Sequence, residues 1–481
     1  MTVPERSYGR PRFHAPWVIF WVGFGLRVAW IVLGRTYRFQ PLMDHFQYGW
    51  EVGRIARSLV EGQGYANPFN GPSGATAWLA PLYPLLMALG FKLFGVYSNG
   101  AAIFVEVCDS AFSAGTALAV YEIAARCFDA RGIARRGAVG WPVGAPVAMW
   151  SGWLWALYPA DMQYAVRWIW EMSLSTFLFA WALVIALRLR GVGEFVALEG
   201  VRTPGAKAQV LSKAMPEAEA SGYLFVAGQR KRTGLWLVFG VLWGLVGLSN
   251  PSLLICLPAM VVWVAWPELR VWRLRGRTMV GWAVTGVAFA AVMAPWVVRN
   301  ERVLHAFVPT RSNLGVELYD STLEQNDVFP WGAAMPMWAG DPVFREFVRM
   351  GEVPFAKMRQ REALERIRAR PEKFARNAVD RFLFYWDDTP HPTDHLMGEY
   401  FRRAQYALVS LCGLMGLALM LRRRVEGAGL FALCFLLVPL PYYLVTVQAR
   451  FRHPLEPLIA ILGVYLFRSA EKRAKVEATH G

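Results

Sequence analysis

The sequence predicts an all-α polytopic membrane protein, and three observations predict it. Hydrophobic residues make up 55% of the 481-residue chain and its mean hydropathy is +0.29, too apolar for a soluble chain of this length. Several stretches of about 17–22 residues carry almost no charge, and each is long enough to cross a hydrocarbon core of about 30 Å. Trp and Tyr flank these stretches, as at Trp17 and Trp21, Trp141 and Trp150, and Trp263 and Trp266, where rings with one dry and one wet edge favour the headgroup level.

Taken in order, residues 1–16 are polar and basic and lead into an apolar run without a small-residue cleavage site, which reads as an uncleaved first helix. Spans are expected at roughly 17–34, 100–125, 142–160, 169–188, 234–249, 252–267, 279–297, 403–421, 428–446 and 454–468, about ten or more membrane helices in all. The first outer loop, 35–99, holds two further segments, 44–62 and 80–97, and the second decides the topology. If 80–97 lies on the membrane, the basic clusters Arg6/Arg10/Arg12, Arg131/Arg135/Arg136, Arg188/Arg190, Arg230/Lys231/Arg232, Arg270/Arg273/Arg275/Arg277, Arg422/Arg423/Arg424 and Arg468/Lys472/Arg473 all face the cytoplasm. The positive-inside rule asks for that arrangement. Both termini are then cytoplasmic, and 44–62 and 80–97 are helices lying on the outer face. Residues 190–233 read as a flexible cytoplasmic loop, 298–402 as an extracytoplasmic helical subdomain, 403–468 as the last spans and 469–481 as a cytoplasmic tail. Within 298–402, Leu364, Ile367, Phe374, Val379 and Phe382 fall at helical spacing and suggest a docked face.

The net charge of +16 does not mark a nucleic-acid binder, because the Lys and Arg residues sit in short clusters between apolar segments rather than on one basic face. The five cysteines form no CxxC pair, so neither a disulfide framework nor a zinc site is expected. The run Asp387, Asp388, His391, Asp394 and His395 lacks a zinc spacing. No cofactor is required by this reading; a divalent metal is conceivable but not indicated. No pair of matching halves points to an inverted-repeat transporter.

Polar groups collect where spans meet the outer face. Asp44 follows the first span with Tyr48 four residues on, Glu171 opens the fourth span, Arg299 closes the seventh, and Arg450, Arg452 and His453 fill the last outer loop. Carboxylates beside guanidinium groups suit transfer of a group from a lipid-linked phosphate. Arg presents a planar fork to the leaving phosphate, and a carboxylate takes the proton of the attacking hydroxyl. Asp44 would be the general base, Glu171 would position acceptor or sugar, and Arg299, Arg450 and Arg452 would hold the phosphate, with Tyr48 and His453 in support. Bland readings stand beside these: Asp44 as a helix cap, Glu171 as a first-turn acid, Arg299 as an interfacial anchor. Positive charge on an outer loop opposes the orientation rule, which makes Arg450 and Arg452 the harder pair to dismiss.

Ordered blocks over roughly 17–468 carry a resemblance. They are Asp44-x-x-x-Tyr48, Gln63-Gly64-Tyr65, Ala80-Pro81-Leu82-Tyr83-Pro84, Lys92-Leu93-Phe94-Gly95, Ala156-Leu157-Tyr158-Pro159 and the Trp170-Glu171-Met172-Ser173-Leu174 stretch. Gly247–Leu254, Phe307–Leu318, Gly351-Glu352, Arg361–Pro371 and Arg450–Pro454 come next in sequence. The chain resembles the GT-C superfamily of membrane glycosyltransferases, in the bacterial branch (glycosyltransferase family 39) related to dolichyl-phosphate-mannose protein mannosyltransferases and to the lipid A aminoarabinose transferase. The resemblance implies a polyprenyl-phosphate-sugar donor, a lipid, glycan or protein acceptor, transfer at the outer face of a bacterial cytoplasmic membrane, and Asp44 as the first-loop acid. The mannosyltransferases carry Asp-Glu in that loop, whereas here Asp44 is followed by His45. The reading from another class is a transporter or flippase of lipid-linked sugars, which would place charge inside the spans, where Glu106 and Asp109 are the main candidates.

Overall fold

A computed structural model describes residues 15–129, 146–167, 169–193, 217–272, 275–323, 335–389 and 396–480. In chain order the helices are α1 (Pro16–Gly34), α2 (Glu51–Val60), α3 (Leu82–Phe94), α4 (Asn99–Phe128), α5 (Pro146–Leu157), α6 (Pro159–Val166) and α7 (Met172–Arg190). They continue with α8 (Glu217–Ser249), α9 (Cys256–Leu269), α10 (Arg275–Leu304), α11 (Leu314–Asp320), α12 (Pro342–Met350), α13 (Glu352–Ala369), α14 (Pro371–Asp387), α15 (Leu396–Arg422), α16 (Ala428–Leu437), α17 (Leu440–Leu444) and α18 (Glu456–His480). Short 3-10 turns at Phe46–Tyr48, Pro251–Ile255 and Ala449–Leu455 join them.

Among the described residues seven helices are long and apolar enough to cross a membrane: Pro16–Gly34, Asn99–Phe128, Met172–Arg190, Arg232–Ser249, Pro251–Leu269, Arg275–Leu304 and Met397–Arg422. The protein is thus all-α and polytopic, with seven such spans where ten were expected. Three expected spans account for the difference. Residues 142–145 lie outside the described residues, and the helix next to them, α5, has only 12 residues. The stretch 428–446 is broken near Pro439 into α16 and α17, because proline lacks the amide that would continue the helix. The apolar part of α18 runs directly into a charged tail, so the apolar run is short. The segment expected to lie on the membrane forms α3, whose 13 residues reach about 20 Å, short of a 30 Å core.

Burial sorts the spans. In α7 83% of the apolar window is buried and in α4 67%, whereas α1, α9, α10 and α15 have 28% or less, so α4 and α7 form the centre and the others face lipid. Close approach is made by small residues. A Cβ on Gly240 of α8 would stand 2.4 Å from the Thr285 carbonyl of α10, which lets those backbones touch. Ionisable groups inside the bundle are paired or hydrogen-bonded: Arg27 meets Asp161, which also accepts from Ser113 and lies 3.3 Å from His453 Nε2. Glu122 takes both Arg126 and Arg188, at 2.8 and 2.9 Å. Asp109 accepts from the Tyr83 hydroxyl at 2.6 Å, and Glu106 from Thr36 at 3.2 Å. Arg27 was not anticipated as a buried intramembrane charge.

Two expectations change. The loop read at 190–233 is helical from Glu217, where α8 begins, and 194–216 lie outside the described residues. The stripe expected to dock in 298–402 is split by Pro371 into α13 and α14, and Leu364, Val379 and Phe382 are exposed. The buried face of α14 is instead Asn377, Arg381 and Tyr385. Apolar spacing marks a face without saying what covers it.

Candidate functional site

Following the helices end to end puts Asp44, Glu171, Arg299 and the 450–453 turn at the same end of the bundle, because each lies at a connection on that side. Asp44 is not a helix cap. Met43, Asp44 and His45 all have positive φ (51°, 53° and 59°), and α2 begins only at Glu51, with Trp50 as N-cap. Three consecutive non-glycine residues in the left-handed region cost backbone energy and persist where surrounding contacts fix them. Here those contacts are Arg54, whose Nε reaches Asp44 Oδ2 at 2.8 Å, Arg57 at 3.8 Å from Oδ1, and the Tyr97 ring stacked 3.9 Å from His45. Arg54 is fully buried, lies 4.5 Å from the centroid of the Trp50 ring, and has no partner for its two terminal nitrogens among the described residues.

Tyr48 does not share a helical face with Asp44 as its spacing suggested. It is buried, donates to the Ser98 carbonyl at 2.8 Å and packs edge-on against Phe39 at 4.9 Å. Its next neighbour Gly49 fastens the first loop to the segment before α7. With φ +76°, a Cβ there would stand 2.3 Å from the Ile169 carbonyl, so only glycine permits the approach that brings the loop beside Trp170 and Glu171. Glu171 is the residue before α7; its carbonyl accepts from Ser175, while its side chain caps nothing.

The three candidate arginines part company. The Arg450 guanidinium lies 3.5 Å from the Trp170 ring centroid, and Glu171, Glu51 and Glu317 all act on its charge. Burial draws it below its usual value and those carboxylates pull it back. Arg452 points elsewhere: fully buried, it bonds Glu456 and Ser410 and stacks 3.3 Å from the Tyr406 centroid, tying α18 to α15. Arg299 donates to the carbonyls of Tyr65 (2.6 Å) and Thr76, and to the Asn300 side chain at 2.9 Å, clamping the first loop to α10. Residue type and loop position could not separate a free guanidinium from one consumed by its neighbours. His453 belongs to the Arg27–Asp161 network.

Glu51, Arg311, Glu317 and Tyr442 were missed, and they complete the cluster. Burial raises Glu51 and lifts Glu317 to about 7, while Arg311 and Arg450 oppose the rise at both. Arg311 donates to the Trp78 carbonyl at 3.1 Å, and Tyr442 lies beside Ser252 and Asn250 within the influence of Glu171 and Arg311. The cluster therefore mixes signs: Arg54, Arg311 and Arg450 act electrostatically among Glu51, Glu171 and Glu317, and Asp44 joins through its pair with Arg54. One signal could have found part of it. On α2 the buried positions Val52, Ile55 and Ala56 include a fully buried Arg54, a charge on the wrong face of an amphipathic helix.

No family model and no curated protein sequence matches the chain. Solved structures match its fold. The oligosaccharyltransferase AglB from Archaeoglobus fulgidus, in complex with an inhibitory peptide and a dolichol-phosphate, aligns with a TM-score of 0.52 at 13% identity over 96% of this chain and 51% of that one. The apo form of the Archaeoglobus fulgidus oligosaccharyltransferase gives 0.52 at 12% identity over 98% and 52%. Its complex with Zn and sulfate gives 0.50 at 12% over 95% and 49%. The chain thus spans about half the length of the solved chains it matches. It is similar to them in fold, an all-α polytopic membrane architecture.

Proposed function

We propose that this protein is a membrane glycosyltransferase that moves a sugar from a polyprenyl-phosphate carrier onto a hydroxyl of a lipid, glycan or protein at the outer face of a bacterial cytoplasmic membrane. The observation that carries the reading is the convergence of Arg450, Arg311 and Arg54 with Asp44, Glu51, Glu171 and Glu317 at one end of a GT-C-like bundle. The dolichol-phosphate complex of the archaeal enzyme supports a lipid phosphate as the donor's anchor.

In the proposed step the acceptor oxygen attacks the anomeric carbon and the bond to the phosphate oxygen breaks, with its electron pair leaving on the phosphate. The acceptor proton passes to a carboxylate, which we assign to Asp44, and a single displacement inverts the sugar carbon. Arg450 and Arg311 neutralise the phosphate as its charge grows, in surroundings where burial strengthens the interaction. Glu171, next to the Trp170 ring on which Arg450 rests, positions the sugar or acceptor. Arg299 and Arg452 act at a distance, by holding the first loop and the last turn. The archaeal enzyme was captured with zinc. Among the described residues here no three His, Cys, Asp or Glu side chains converge as ligands, and two arginines already hold Asp44. No step is routed through a metal.

The test is transfer of labelled sugar from a panel of polyprenyl-phosphate sugars in membranes holding the wild type, Arg450→Ala or Arg452→Lys. Transfer abolished by Arg450→Ala in a folded protein supports the reading; full transfer without Arg450 refutes it. Flipping of lipid-linked sugars is the second reading, favoured by Arg27, Glu106 and Asp109 inside the spans. Scrambling of labelled lipid in proteoliposomes without any transfer would select it.

A further inference from the structure

Helix α14 carries apolar side chains on two opposite faces. Inward, Tyr385 stacks on Tyr442 with ring centroids 6.2 Å apart, and Arg381 donates to the carbonyls of Ser321 (2.7 Å) and Leu444 (3.4 Å). Outward, Val379, Phe382 and Leu383 stand 58%, 47% and 52% exposed, at the i, i+3, i+4 spacing of a single stripe. The first half of the helix is different, with Glu372 and Arg376 exposed and Phe374, its one large apolar residue, half-buried.

The position of the helix end says what covers the stripe. The Trp386 carbonyl accepts from Ser410, which lies about 20 Å along the span Met397–Arg422 from its first residue. Trp386 Nε1 donates to the Tyr443 hydroxyl at 2.9 Å, and its ring stacks 5.7 Å from Phe435, roughly two helical turns further back along the α16–α17 segment. Arg402 and Arg403 lie about two turns before Ser410 on α15 and pair with Asp388 and Asp387, directly after Trp386. The end of α14 thus packs among membrane helices and is closed by those two ion pairs. Leu408 and Leu411 of the spanning helix α15 are exposed as well.

We propose that the C-terminal half of α14 is seated in the bilayer, with Val379, Phe382 and Leu383 in the hydrocarbon of the leaflet on the candidate-site side. The helix enters from water at its polar first half and reaches the 5–10 Å depth common to amphipathic helices that lie in a membrane interface. The segment expected as wholly extracytoplasmic therefore rests part of itself in lipid. Its inward face, through Tyr385 and Tyr442, forms the partition between that lipid and the cluster around Arg311 and Glu171.

The experiment uses the full chain in lipid nanodiscs, with the two partly accessible thiols removed by Cys108→Ala and Cys412→Ala and the three buried cysteines kept. A nitroxide is attached in turn to Phe382→Cys, Val379→Cys, Arg376→Cys and Glu372→Cys. Collision with dissolved oxygen, which concentrates in hydrocarbon, is compared with collision with a water-soluble nickel chelate. At 382 and 379 oxygen is expected to exceed the chelate severalfold, with the ratio reversed at 372 and 376. Chelate access at 382 and 379 equal to that at 376 overturns the proposal. So does protection from both probes, the sign of a protein partner over the stripe. Either stripe position suffices where the other label prevents folding.

Discussion

Asp44→Asn would ordinarily be read as removal of a general base, yet the structure gives it a second effect. Asp44 is the counter-ion of Arg54, which is fully buried, while Asp44 itself is 23% exposed. Removing one partner of a buried pair costs about 3–5 kcal/mol. Asp44 keeps some contact with water and an Asn oxygen still accepts from Arg54 Nε, so about 2 kcal/mol is expected here. Arg54→Met removes the buried charge and leaves Asp44 near Arg57 at 3.8 Å, so it costs about 1 kcal/mol or less. The double variant should match Arg54→Met alone, giving a coupling of about 2 kcal/mol between the sites. Thermal unfolding of the four proteins in one detergent measures the cycle. Transfer activity separates the roles: a base lost from a protein relieved of its unpaired guanidinium still costs about 100- to 10,000-fold. Additive stabilities would refute the pairing argument. Activity restored in the double variant would refute Asp44 as the base.

Arg450→Ala is expected to abolish transfer with little loss of stability, whereas Arg452→Ala strands the buried Glu456 and costs about 3–5 kcal/mol in thermal unfolding; the reverse ranking would undo the division of labour between them. Gly49→Ala drives a Cβ to 2.3 Å from the Ile169 carbonyl at a positive φ, and about 2–4 kcal/mol of stability should go with it; a neutral variant would mean that loop and α7 segment are not in contact. Burial lifts Glu317 to about 7 from an ordinary 4.5, so the folded state binds more protons between those values and stability falls as pH rises through that window. Glu317→Gln should flatten that fall in a pH series of melting points, and an unchanged slope would remove Glu317 as its source.

Much of the bundle was legible because its signal is local. An uncharged run such as 172–187 must be a membrane helix whatever surrounds it, since its backbone can bond only to itself in lipid. Broken segments were harder: Pro439 interrupts a run whose hydropathy alone looked continuous. In the site, Asp44, Glu171 and Arg450 could be nominated as charges at span ends. Glu51 was not singled out, and Arg311 and Glu317 carried no mark beyond their place in the 307–318 block.

The sequence by itself determined that the chain is α-helical, crosses a membrane repeatedly and gathers charge at one end of its spans, because period, length and hydropathy are properties of consecutive residues. The tertiary structure alone decided which of those charges are available to a ligand. Arg299, Arg450 and Arg452 are chemically the same, and they differ in what the fold brings within 3 to 4 Å: backbone carbonyls for the first, a tryptophan face amid several carboxylates for the second, Glu456, Ser410 and Tyr406 for the third. Partners contributed by helices distant in sequence leave no trace in local spacing, and a guanidinium already satisfied has little left to offer a phosphate.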